Sequence, residues 1–240
     1  MQFPELQTIH RQFLALSQIA RDRFDATLGG KLLLRCQLDD DGLATIIAGS
    51  AAGAASLSVD ADADRLREGL RAGFVDFVVA HLDEALRILK NEVRRARAVS
   101  VGLAAEPQPC IDAMLQRGLQ PDLLSAVPHR QLTLFVERGA ISLPHSGATE
   151  PGTSHLEWRV TENPAPAMRR IAELASAALD AERSDTPARR RWLEQSPRYL
   201  GRAYAARQCL RMTPAEIAAL VEGARAAFPA LHFTRDEQPL

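Results

Sequence analysis

Apolar residues at Leu6, Ile9, Phe13, Leu16, Ile19, Ala20 and Phe24 fall three or four positions apart, which predicts an amphipathic helix near the start of the chain. Gly29-Gly30 ends it. Lys31 to Cys36 then reads as a continuous apolar strand of the kind buried on both faces of a parallel sheet. LATIIAGSAAGAA predicts a helix whose small residues permit close packing on that sheet, and SLSVD predicts a short strand stopping at Asp60. The alternation continues with helices at DADRLREGL and at HLDEALRILKNEVRRAR, where Leu82, Ala85, Leu86, Leu89 and Val93 share a face. AVSVGLA (98–104) is a strand, PQPCIDAMLQRG a helix stopped by Gly118, and PDLLSAV a strand. Strands separated by single helices imply right-handed crossovers, and so an α/β fold with a Rossmann-like, mostly parallel sheet and flanking helices.

The pattern changes near residue 130. QLTLFVE and HLEWRV are strand-like and flank the Gly/Pro/Ser-rich stretch ERGAISLPHSGATEPGTS, which predicts a hairpin. Helices follow near 164–182, once or twice between 187 and 210, and at 214–228. Thr186-Pro187 has the form of an N-cap with proline at the first helical position, and Thr213-Pro214-Ala215-Glu216 that of a capping box. The expected organisation is a Rossmann-like domain over 1–130, a strand pair and loop over 131–160, and a C-terminal helical region over 161–240. No period repeats along the chain, which argues against a solenoid.

Composition adds limits more than identity. With 240 residues, 46% hydrophobic, the chain can bury a substantial core, and a net charge of -1 supplies no global field for nucleic acid or an anionic membrane. Cys36, Cys110 and Cys209 are far apart and lack metal-ligand spacing, which fits a reduced protein without a disulfide framework or a metal site. No window approaches a membrane span and the N-terminus lacks a signal-peptide pattern, so a cytoplasmic location is expected. An Arg-rich stretch, Arg189 to Arg211 with Trp192, Tyr199 and Tyr204 interleaved, is read as a solvated face or subunit contact rather than a nucleic-acid grip. His145 and His155 share no metal spacing.

The run from SLSVDADADRLREGL through LDEAL, RAVSVGL and RGLQPDLLSA, within a stretch of about 8–130, resembles the NAD-binding core of the urocanase (urocanate hydratase) family. In that family a strand closed by an acid leads to a helix with Arg, then to segments of this form, and to a polar turn with His. The resemblance implies NAD as cofactor, with Asp60 at the adenosine ribose, Arg65 as a cofactor contact, and Gly102, Ser125 and His129 beside them. It further implies a nicotinamide ring used as an electrophile toward an imidazole substrate while water adds.

The departures decide the expected function. Urocanases carry a long glycine-rich loop, GLGGMGGAQP, after the first strand; here the equivalent is QLDDDGLA, with Asp39, Asp40 and Asp41 and one glycine, Gly42. Backbone N–H groups can cradle a pyrophosphate only where side chains do not intrude, and an unscreened like-charge pair at about 4 Å costs roughly 4 kcal/mol at an effective dielectric of about 20. The three acids are read as a turn that N-caps the following helix, in preference to a metal or cationic-ligand site. The family's FCxGxGPFRW segment has no counterpart, Cys209 having no matching neighbours. The expectation is a divergent urocanase-like pseudoenzyme that binds a small molecule or a protein partner, as a homo-oligomer or in a complex, without membrane or nucleic acid. The alternative is a lyase or hydratase on an imidazole-like or other small substrate, using NAD or another cofactor.

Overall fold

A computed structural model of the chain describes residues 3–143, 151–161, 164–225, 228, 231–236 and 238–239. The alternating half folds as α1 (Leu6–Arg23), β1 (Leu32–Cys36), α2 (Asp40–Ala52), β2 (Ala55–Asp60), α3 (Ala63–Ala72), β3 (Phe77–Val79), α4 (Leu82–Arg94), β4 (Val99–Ala104), α5 (Pro107–Gln116), β5 (Leu123–Ser125), α6 (His129–Glu137) and β6 (Ile141–Ser142). Its strands form a six-stranded sheet in the order β3-β4-β2-β1-β5-β6, every pair parallel. The expected Rossmann-like α/β sheet is what the chain forms.

Both faces are covered, which is why β1, β2 and β4 read as apolar runs instead of alternating ones. Leu33 faces α1 and α2, which bury Ile9, Phe13, Leu16, Leu43, Ile46 and Ile47. Leu34, Cys36, Leu57 and Val101 face the other way, against Leu89 of α4, Ile111 and Met114 of α5 and Phe135 of α6. The small-residue helix α2 is buried along almost its whole length.

The rest of the chain adds a second sheet. β7 (Ser154–Val160), β8 (Arg207–Met212), β9 (Leu231–Arg235) and β10 (Gln238–Pro239) are antiparallel in the order β10-β9-β7-β8. Leu156, Trp158, Cys209 and Leu210 join the same core as α1, so this sheet is fastened to the Rossmann-like half through that helix. Around it lie α7 (Pro164–Ala178), α8 (Thr186–Tyr199) and α9 (Pro214–Arg225). The capping box forms as expected: Thr213 N–H donates to Glu216 Oε2 at 2.7 Å and Glu216 N–H to Thr213 Oγ1 at 3.3 Å. Glu216 also receives the fully buried Arg189 guanidinium at 2.8 Å and Asp180 N–H at 2.8 Å, which ties α8 and the end of α7 to α9.

Three expectations are corrected. QLTLFVE is helical, as most of α6, so no hairpin forms with HLEWRV; β7 pairs with β8 and β9 instead. Its buried Gln131 and Phe135 are four apart, and Pro128 stands at the N-cap, so helical spacing wins over a five-residue alternation. Beyond residue 161 the expected helices form as α7, α8 and α9, but three strands that were not expected lie between and after them, β8 within the Arg-rich stretch. The stretch read as the loop of that hairpin contains the parallel edge strand β6, while its residues 144–150, with His145, lie outside the described residues.

Candidate functional site

β1 lies near the centre of the parallel sheet, with β2, β4 and β3 on one side and β5 and β6 on the other. In such sheets the crossovers change direction beside the central strand, and the crevice that opens at the carboxyl ends is the usual ligand site. Here that crevice holds a side chain. Arg35 pairs in register with Ser125 across β1 and β5, and its side chain is only 4% exposed. Its Nη1 donates to Ser125 Oγ at 2.8 Å and to Asp41 Oδ2 at 2.9 Å, its Nη2 to Asp39 Oδ1 at 2.7 Å, and its Nε to the Gln37 carbonyl at 3.1 Å.

The turn that follows is shaped around this guanidinium. Gln37 takes a left-handed φ of 65°, which swings the chain out of β1. A Cβ on residue 42 would stand 2.5 Å from the Gln37 carbonyl oxygen, so the single glycine of the loop is required by close approach. Asp39 N-caps α2 by accepting Gly42 N–H at 2.8 Å, as the sequence suggested. A helix N-terminus is a ready anion site. In this chain the anion is Asp39 itself.

Asp60, at the carboxyl end of β2, is 3% exposed. It accepts Leu38 N–H at 2.6 Å, Asp62 N–H at 2.9 Å and Arg65 Nη1 at 3.1 Å, and so holds the β1–α2 turn against the start of α3. In front of these residues lies an open cleft of about 540 Å³. Asp39, Asp40, Asp41, Asp62, Asp64 and Glu68 line it, and Arg65 is the cation among them.

The structure therefore brings Asp60 and Arg65 together, and joins Ser125 through Arg35 to Asp39 and Asp41 of the neighbouring turn. Gly102 sits beneath α3, where an added Cβ would meet Leu66 Cδ2 at 2.9 Å; its role there is close packing of helix on sheet. His129 opens α6 and is exposed, outside the lining of the cleft. All three thiols are buried, and burial pushes Cys36 up to about 12 and Cys110 up to about 11 and raises Cys209 as well. Among the described residues no group of three or more His, Cys, Asp or Glu is placed to hold a metal ion, and no helix is long and apolar enough to cross a membrane.

A family model for the urocanase Rossmann-like domain matches residues 8–133, a span from α1 into α6. The chain belongs to the urocanase family. Within this urocanase-family domain, the residues of the β1–α2 turn do not fit a dinucleotide pyrophosphate. The Gly42 N–H that could face a phosphate is taken by Asp39, and the guanidinium that could neutralise one is spent on Asp39 and Asp41. The cleft in front is lined by six carboxylates.

Arg35 is the residue that sequence reasoning passed over. The signal was present: one charged side chain inside LLLRC, with acids four and six positions later. A buried charge requires a partner, so an arginine in a strand covered on both faces had to be answered from nearby.

Proposed function

We propose that this urocanase-family chain retains the Rossmann-like scaffold as a binding protein and does not hydrate urocanate. The reading rests on the Arg35 guanidinium filling the crevice between the carboxyl ends of β1 and β5, with the Asp39 carboxylate on the N-terminus of α2. Family chemistry needs NAD at that end of the sheet, where the Asp39 carboxylate takes the place a pyrophosphate would occupy and the Arg35 charge is already answered by Asp39 and Asp41. A small-molecule ligand is better accommodated elsewhere. A cavity of about 920 Å³ lies between α7 and α8, walled by Met168, Ala172, Leu193, Pro197, Leu200 and Tyr204, a size and lining typical of ligand pockets. Three buried cysteines free of disulfides suit a cytoplasmic setting.

A lyase acting on a cationic, imidazolium-like substrate is the second reading, favoured by the open, carboxylate-lined cleft beside Arg65. Calorimetric titration of the whole chain with NAD, together with mass spectrometry of ligands released on denaturation, tests the first. Absence of saturable heat at millimolar NAD, and of co-purified NAD, is the expected result. Saturable binding that is lost in Asp60→Asn overturns the proposal and puts the enzyme reading first.

A further inference from the structure

The Arg-rich stretch is only partly explained by the fold. Arg189 is buried against Asp185 and Glu216, Arg207 pairs with Glu157, and Arg211 pairs with Asp185. These three hold β8 and its neighbouring helices in place. Arg191 and Arg198 do something different. Together with Gln195 and Tyr199 they fall at i, i+4, i+7 and i+8 of α8, a single helical face.

That face borders a cavity of about 550 Å³ at the amino ends of β2 and β4, opposite to the cleft described above. Arg97 borders it from the turn before β4, and Ser50 and Gly53 from the end of α2. The cavity is built with some care for charge. Gly53 closes α2 with a left-handed φ of 99°, and a Cβ there would stand 3.1 Å from Arg191 Nη2, so glycine lets the guanidinium approach. Arg191 donates to the Ala52 carbonyl at 2.9 Å, which covers the negative end of the α2 dipole that would otherwise repel an anion. Arg198 lies over the Tyr199 ring at 5.3 Å, and Glu92, the one acid in the lining, is engaged by Asn91 Nδ2 at 2.7 Å and by Arg95 at 3.7 Å.

We propose that this cavity binds a small, hydroxyl-rich phosphomonoester, of the sugar-phosphate class. Three guanidiniums around one polar cavity match the planar, multidentate recognition of phosphate oxygens that arginine provides. A bare phosphate would leave most of the volume empty. Gln195, Tyr199 and Ser50 supply amide and hydroxyl groups suited to the hydroxyls of an attached polyol. The site is independent of the carboxyl-end cleft and does not depend on whether NAD binds there.

The test is calorimetric titration of the whole chain with ribose 5-phosphate and, separately, with inorganic phosphate. One or two added hydrogen bonds to the sugar make ribose 5-phosphate bind about tenfold more tightly than phosphate. Arg97→Gln and Arg198→Gln, both at exposed positions, each weaken it by about tenfold, while Arg202→Gln, an exposed arginine outside the cavity, changes nothing. Equal affinity for the two probes, or no binding of either, overturns the proposal. So does tighter binding of a short single-stranded oligonucleotide that Arg202→Gln weakens as much as Arg198→Gln, because the arginines would then act as a diffuse basic surface.

Discussion

Acidification should unfold this protein through a pair of histidines where α1 meets the second sheet. His10 is fully buried, with its ring 5.4 Å from that of His155 and 5.0 Å from that of Trp192, and neither of its ring nitrogens has a hydrogen-bond partner. Burial, with His155, Arg211 and Arg189 nearby, holds its pKa well below the usual 6.5. Burial and the cations Arg11 and Arg211 likewise push His155 down to about 4, against a smaller opposing effect of Asp236. Both rings are neutral in the fold, whereas in the unfolded chain they titrate near 6.5. Their contribution is fully present above about pH 6.5 and is lost as pH falls from there toward the folded pKa values, at up to about 1.4 kcal/mol per pH unit for each ring. At about pH 5 the loss from His155 is roughly 2 kcal/mol, and His10 adds a loss of the same sign, against a stability of about 5–15 kcal/mol. Urea unfolding followed by fluorescence of Trp158 and Trp192, at about pH 7.5 and about pH 5, measures it. The control is His155→Gln, which removes one titration while leaving the carboxylates alone. Between the two pH values the variant should lose about 2 kcal/mol less than the parent. If both lose the same amount, the histidines are already satisfied in the folded state and the argument fails.

Three further outcomes test the site and its supports. Arg35→Met leaves Asp39, Asp41 and Ser125 without their shared donor; because the two carboxylates are 52% and 39% exposed and can rehydrate, the expected loss is about 1–3 kcal/mol in chemical denaturation. Gly42→Ala drives a methyl into the Gln37 carbonyl and should cost about 1–3 kcal/mol, measured as a fall in Tm, whereas a neutral result would mean that the turn is looser than described. Glu216→Gln leaves the fully buried Arg189 with Asp185, at 3.2 Å, as its remaining carboxylate, and a loss of about 1–3 kcal/mol is expected by urea titration.

How much of this was legible in the sequence depended on how local each determinant was. The β1–α2–β2 unit and the capping box at Thr213 could be read because their signals lie within a few residues. β3 could not: three residues between Gly73 and His81, with Phe77 exposed, carry too little periodicity to stand out. β8 was hidden by its arginines. Arg207 and Arg211 gave RQCLRM the look of a charged helix, and only the carboxylates of Glu157 and Asp185, 50 and 26 residues away, make those charges acceptable in a strand. QLTLFVE satisfied strand and helix spacing about equally, and the packing of Phe135 against the sheet decided for helix.

The site followed the same rule with one instructive exception. Asp60 and Arg65 are five residues apart, so their pairing could be anticipated, but the expectation that Asp39, Asp40 and Asp41 confront a ligand as three bare charges treated the loop as if nothing stood behind it. Arg35 stands behind it. Its guanidinium neutralises Asp39 and Asp41 and reaches Ser125, 90 residues away in sequence. The acids are therefore half of an internal ion-pair system whose other half lies inside the strand. Such a system cannot lose one member cheaply, since an Arg35 left alone in the sheet would be a buried, unpaired charge. Restoring a glycine-rich turn by replacing the three acids alone would strand that arginine, and recovery of a dinucleotide site requires changing strand and turn together.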